Sequence, residues 1–155
     1  AWRHNLSALG ARGLSFDLQI RPSQMSDAIE VVGSNAQVVF ILNHAGNPSL
    51  RNPASFERWA EGLSQLSRFP NVSIKLSGFG TSGIAWDATS VKPIVQHALA
   101  CFGVERCMFG SNFPVDSLVK DYRSIWAAFD ETVADLADAD RQRLFADNAE
   151  RIYRV

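Results

Sequence analysis

Four short apolar runs recur along this chain, and a longer amphipathic segment follows each. Residues 14–20 (LSFDLQI) alternate, with Leu14, Phe16, Leu18 and Ile20 on one side and Asp17 and Gln19 on the other, the period of a half-buried strand. Residues 38–42 (VVFIL) form a continuous β-branched and aromatic run, as expected of a strand covered on both faces. Residues 72–76 (VSIKL) and the run Cys107-Met108-Phe109 complete the set. Between them, Phe56, Trp59, Ala60, Leu63 and Leu66 stand at helical spacing, as do Val91, Ile94, Val95, Ala98, Leu99 and Phe102. Each group predicts one buried helical stripe. Ser23 or Ser26 is the expected cap of a shorter helix reaching about Val32, and Ser90 leads into the fourth strand's preceding helix. Beyond Asp116, Leu118, Tyr122, Ile125, Trp126 and Phe129 predict another helix, and a last one after Asp138 carries Leu144, Phe145, Ala149 and Ile152.

Strand starts at 14, 38, 72 and 106 give a βα unit repeated four times, and hence a parallel sheet. Such a sheet is half of a (β/α)₈ barrel, which needs about 250 residues, or a small open doubly wound domain. The pattern alone leaves both open. Residues 1–11 read as an amphipathic helix with Trp2, Leu6 and Leu9 on one face, without an initiator Met or a cap. This start is expected of a chain cut from something longer.

Composition narrows the function classes. Among 155 residues, 46% are hydrophobic and 10% aromatic, enough for a real core. Fifteen basic against sixteen acidic residues, with no basic block, give no reason to expect nucleic acid or an anionic membrane. There is no signal peptide and no long apolar span, so a cytoplasmic location is expected. Cys101 and Cys107 flank Gly103 without CxxC spacing and read as small core residues rather than a disulfide or metal pair. No GxGxxG or P-loop is present, so no nucleotide cofactor is expected.

All four strands end in polar residues: Gln19-Ile20-Arg21, Asn43-His44-Ala45-Gly46, Lys75-Leu76-Ser77-Gly78 and Ser111-Asn112. In a parallel sheet these ends share one face, so residues far apart in sequence meet around one cavity. His44 is the central candidate, because a neutral imidazole can ligate a metal or move a proton near neutral pH. Lys75, inside an apolar strand, is either a solvated outward Lys or a cavity residue that meets an anionic or carbonyl group. Trp86, in a Gly-rich loop, is a lid on substrate or a loop anchor. His4 and His97 lie on helices in mixed surroundings and read as surface or supporting residues. A triad of Ser111, His44 and Asp116 lacks a GxSxG elbow and is not expected.

The segments FDLQI, FILNHAGNP, PNVSIKLSG, FGVERCMFGSNFPVDSL and LFADNAERIYRV, in this order, resemble the carboxyl-terminal half of the amidohydrolase-related proteins. The branch is the lactonase-like one that holds sugar lactonases and the pyrone-dicarboxylate lactonase. The resemblance spans nearly the whole chain. It implies that residues 1–155 are half of a TIM-barrel domain, four strands being strands five to eight. It also implies hydrolysis of a small, often carboxylated or sugar-derived, lactone or related ester or amide. The family's HxH pair is missing here. His44 matches the family's strand-end histidine, which ligates the ion in metal-dependent members and helps polarise the scissile carbonyl in metal-free ones. A divalent metal, zinc or manganese, is therefore implied as a candidate cofactor. Asn112 stands where the wider superfamily carries an Asp as general base.

An amide accepts no proton near neutral pH. Either another base serves, with Asp116 or His44 the candidates, or hydrolysis does not follow the superfamily route. The expected catalytic residues are thus His44, Asn112 and Asp116, and the expected substrate contacts are Gln19, Arg21, Lys75, Trp86 and Ser111. The partner is a small molecule. Four strands leave open sheet edges, so the chain alone is expected to be inactive or nearly so and to self-associate or pair with a missing amino-terminal half. A non-catalytic half-barrel module is the alternative.

Overall fold

The computed structural model describes residues 2–50, 52–80 and 83–155, with side chains from residue 5 onward. Its first helix, α1 (Trp2–Ala11), leads into β1 (Ser15–Leu18), and α2 (Met25–Gly33) follows after a short turn at Pro22–Gln24. Next come β2 (Val39–Leu42), α3 (Pro53–Leu66), β3 (Val72–Leu76), α4 (Ala88–Phe102) and β4 (Cys107–Phe109). The chain closes with α5 (Tyr122–Thr132), α6 (Asp138–Gln142), a π-helical turn at Arg143–Asp147 and α7 (Asn148–Tyr153). Leu6 is buried in the core; the side chains of Trp2 and His4 lie outside the described residues.

The strands pair in parallel in the order β1-β2-β3-β4, as the alternation of apolar runs and helices requires. Phe16 pairs with Phe40, Leu42 with Ile74, and Lys75 with Met108. Because side chains alternate across a strand, the sheet has two unlike faces. Phe16, Leu18, Phe40, Leu42, Val72, Ile74, Leu76, Cys107 and Phe109 pack in the main core with the helices. On the other face, Ile41 and Met108 form a small second cluster with Ile152. The last helix therefore supplies cover to the face that the other helices leave bare.

Local chemistry sets the helix starts. Asn52 Oδ1 accepts from Ala54 N at 3.0 Å, and Pro53 opens α3, where a missing N–H costs nothing. Asp87 caps α4 by accepting from Ser90 N at 2.8 Å, so Ser90 is the recipient of the cap and not its source. No serine caps α2: its flanking residue is Gln24, without a side-chain cap. Leu118 sits in the turn before α5 and is 89% exposed, off the buried stripe of Ile125 and Phe129.

Arg106 ties the elements beneath β4. Its guanidinium donates to the carbonyls of Ser67 at 2.9 Å, Phe69 at 3.0 Å, Val72 at 3.2 Å and Phe102 at 3.2 Å. Nearby, the buried Asn148 amide donates to the carbonyls of Val104 and Cys107, each at 2.8 Å, and so docks the last helix on the strand. None of the helices among the described residues is long and apolar enough to cross a membrane.

Candidate active site

Where β2 ends, the chain turns at once. His44, Ala45, Gly46 and Asn47 have φ of 52°, 51°, 72° and 55°, a left-handed turn through four successive residues. For residues other than glycine this conformation costs roughly 1–2 kcal/mol each, so neighbouring groups must hold it. The Trp59 indole donates to Ala45 O at 2.6 Å, and Asn47 Nδ2 donates to Ile20 O at 2.7 Å. Backbone strain imposed in this way is characteristic of sites where a side chain must be aimed.

The residue aimed is His44. Its Nδ1 lies 2.9 Å from Ser77 Oγ at the end of β3. Gly78 makes this approach possible: it has φ of 70°, and a Cβ there would stand 2.4 Å from His44 Nδ1. Burial first, and the Lys75 ammonium second, hold the imidazole below its usual 6.5, against the opposing pull of Asp116 and Asp17. At neutral pH the ring is therefore the neutral form, able to take a proton.

Lys75 lies on the opposite sheet face from the helices, where it meets residues from β1 and the last helix. Its Nζ donates to Asp17 Oδ2 at 3.2 Å and to the Tyr153 phenol oxygen at 2.8 Å. Tyr153 in turn donates to Asp17 Oδ1 at 3.0 Å, and Asn43 Nδ2 reaches Asp17 Oδ2 at 3.3 Å. Gly110 sits against both Ser77 and the Lys75 stem, since a Cβ there would be in ordinary contact with Ser77 Cβ at 3.4 Å and Lys75 Cγ at 3.5 Å.

The loop after β4 builds a second cluster. Asp116 is fully buried. Its Oδ1 accepts from Asn112 Nδ2 at 2.9 Å, while Oδ2 accepts from Trp86 Nε1 at 2.8 Å and Gly80 N at 3.4 Å. Both oxygens are thus occupied and shielded from water, and the carboxylate braces the loop after β3 against the loop after β4. Trp86 is part of the core, its ring centroid 5.2 Å from that of Phe79 and 5.1 Å from that of Phe129; this is an anchor's placement and not a lid's. Ser111 Oγ accepts from Phe113 N at 3.2 Å, which stabilises the turn.

Gln19 and Arg21 line an open cleft of about 930 Å³ with Ser23, Gln24, Asn47 and Ser49. It begins three residues beyond His44. Away from these groups, His97 is half-buried and its Nε2 lies 3.0 Å from Ala60 O. Burial pushes the Cys107 thiol up to about 12, which leaves it inert.

The structure thus brings His44, Lys75 and Ser77 to one strand end, and Asn112, Asp116 and Trp86 to an adjoining cluster. Gln19 and Arg21 border the cleft beside them. The sequence pattern placed Ser77 among the polar strand ends without giving it a role, and did not single out Asp17 or Tyr153. For Asp17 the alternation of its strand gave only the side on which it stands, opposite Phe16 and Leu18, and nothing to pair it with Lys75. For Tyr153 there was no signal beyond its place in the closing motif.

A parallel βα sheet that gathers its polar groups at the carboxyl ends of its strands has the plan of a (β/α)-barrel enzyme's active face. The chain belongs to the amidohydrolase family, whose profile, described as Amidohydrolase, matches residues 1–155. It is 42% identical over 99% of its length to the uncharacterized protein y4mH of Sinorhizobium fredii, covering 52% of that protein. It is 31% identical over 97% of its length to an L-fucono-1,5-lactonase of Burkholderia ambifaria, covering 53%. A crystal structure of an amidohydrolase from Burkholderia multivorans with bound zinc superimposes with a TM-score of 0.92 at 27% identity, over 99% of this chain and 57% of that one. The chain spans about half the length of the curated relatives it matches.

A divalent ion needs several donors of suitable charge. Among the described residues no three His, Cys, Asp or Glu side chains converge. His44 offers one imidazole, while the oxygens of Asp116 and Asp17 are already engaged. The described residues of this chain do not by themselves complete a metal centre.

Proposed function

We propose that residues 1–155 form the His44-bearing half of one barrel domain in a hydrolase that opens small lactones, or related esters or amides. The observation that carries this reading is the half-buried, neutral His44 imidazole, fixed by Ser77 at the end of a parallel strand and flanked by Lys75. With Nδ1–H donating to Ser77 Oγ, Nε2 presents a lone pair and serves as general base. Of the two bases considered, Asp116 is closed off by its hydrogen bonds, which leaves His44.

Water attacks the acyl carbon as His44 Nε2 takes its proton, giving a tetrahedral oxyanion. That charge is met by a Lys75 N–H. Collapse breaks the ring C–O bond, and the proton on His44 passes to the leaving alkoxide. The product is a hydroxy acid. Asn112, whose Nδ2 is held by Asp116, orients the loop beside this chemistry and transfers no proton.

The likeness to an L-fucono-1,5-lactonase supports a sugar-derived lactone as substrate. So does the cleft at the ends of β1 and β2, where Arg21, Gln19 and Asn47 offer a cation and amides to hydroxyl or carboxylate groups. The chain alone is proposed to turn over little, because β1 and β4 are both edge strands among the described residues. The test is therefore made on the complete gene product. Hydrolysis of a panel of sugar 1,4- and 1,5-lactones, followed by acid release, is expected for the unaltered protein. His44→Ala is expected to lower kcat/KM by at least about 10²-fold. An unchanged value would remove His44 from the mechanism.

A further inference from the structure

Tyr153 sits on the last helix, far in sequence from every strand end, yet its phenol is the hub of the strand-face cluster. The oxygen accepts from Lys75 Nζ at 2.8 Å and donates to Asp17 Oδ1 at 3.0 Å. The ring also lies under the ammonium, with Nζ 5.2 Å from its centroid. The helix cannot easily let go, since Ile152 is buried against Ile41 and Met108 and Arg154 donates to Ser15 Oγ at 2.8 Å.

A lysine ammonium has three N–H donors. Among the described residues two meet acceptors, Asp17 and Tyr153. One remains, on a side chain whose stem lies against Gly110, as does Ser77, the partner of His44. A flexible four-carbon stem would otherwise sample many rotamers. Two fixed acceptors, one anionic and one neutral, hold the ammonium in place and so limit the directions open to the third N–H.

We propose that Tyr153 is a positioning residue for the His44 site: it orders Lys75 so that its remaining N–H is held ready for the acyl oxygen. A donor set in place before the charge develops stabilises it without reorganisation. Tyr153 itself stays a phenol, because burial raises it above its usual 10, so it can go on donating to Asp17. This inference rests on the hydrolase reading above.

The experiment uses Tyr153→Phe in the complete gene product, which keeps the ring and removes only the hydroxyl. Two readouts separate the claims. The first is the rate of acylation of Lys75 by acetic anhydride, read by mass spectrometry against the exposed Lys92. It is expected to rise several-fold in Tyr153→Phe and also in Asp17→Asn, as the ammonium is released. The second is lactone kinetics. The variant's kcat is expected to fall about tenfold to a hundredfold with KM within about twofold, and Tyr153→Phe with Lys75→Met together should be no slower than Lys75→Met alone.

Multiplicative effects of the two substitutions, or an unchanged kcat in Tyr153→Phe, would overturn the proposal while leaving the hydrolase reading intact. If the unaltered protein opens no lactone, the hydrolase reading fails, and the labelling decides the positioning claim: a rise supports it and an unchanged rate overturns it.

Discussion

His44 is neutral for reasons that can be varied one at a time. Burial and the Lys75 ammonium both disfavour the imidazolium, while Asp116 and Asp17 favour it. Above pH 6.5 the ring is neutral in both the folded and the unfolded chain, so it exerts no pH dependence. Below 6.5 the unfolded chain binds the proton first, and stability declines until the pH passes the lower folded value. Urea midpoints measured from pH 7.5 to 5.0 are therefore expected to fall more for the unaltered chain than for His44→Gln. The same ordering places the acid limb of kcat/KM below 6.5. Lys75→Met removes the ammonium and leaves Asp17 unopposed, and both changes raise the imidazole, so this limb should move up. A limb that stays in place would show that Lys75 does not act on His44 through its charge.

At the scale of elements, the loops after β3 and β4 depend on one carboxylate. Asp116 is fully buried and receives three N–H donors, from Asn112, Trp86 and Gly80. Asp116→Ala strands these donors and is expected to cost about 3 kcal/mol or more, read as a lowered urea midpoint. If Asp116 were instead a solvent-facing base, the same substitution would leave stability nearly unchanged. Trp86 fluorescence should report the loosening, since the indole loses its acceptor.

The elements themselves were legible because burial wrote them into the sequence. The third strand is read to the residue at Val72–Leu76, and the others to within one or two. Polar strand ends were equally plain. What escaped the sequence depends on sheet order and on the return of the chain. Asp17 and Lys75 meet across β2, which no spacing along the chain reveals, and Tyr153 reaches them only because α7 crosses to the bare face. The cap of α4 escaped for a simpler reason: Asp87 and Ser90 are both good caps, and only geometry shows which accepts.

For the whole molecule, the decisive feature is the pair of sheet edges, at β1 and β4, left unpaired among the described residues. A strand edge presents N–H and C=O groups with no partner, a template for pairing. Along β1 that edge adjoins a groove of about 430 Å³ lined by Phe16, Leu18, Ile20, Ala28 and Val31, with Gln24 and Asp27 as its polar members. Leu14, at the start of the strand, is 47% exposed. With a net charge of only -1, repulsion between copies is weak. For residues 1–155 on their own, we expect the edge of a second copy to cover both at once. Light scattering at micromolar concentration is expected to give a mass of at least two chains. Leu14→Lys should shift the distribution toward monomer, because it sets a charge on the edge without entering the core, and raising the salt should partly restore association by screening that charge. A strictly monomeric mass for the unaltered chain would count against self-association through this edge.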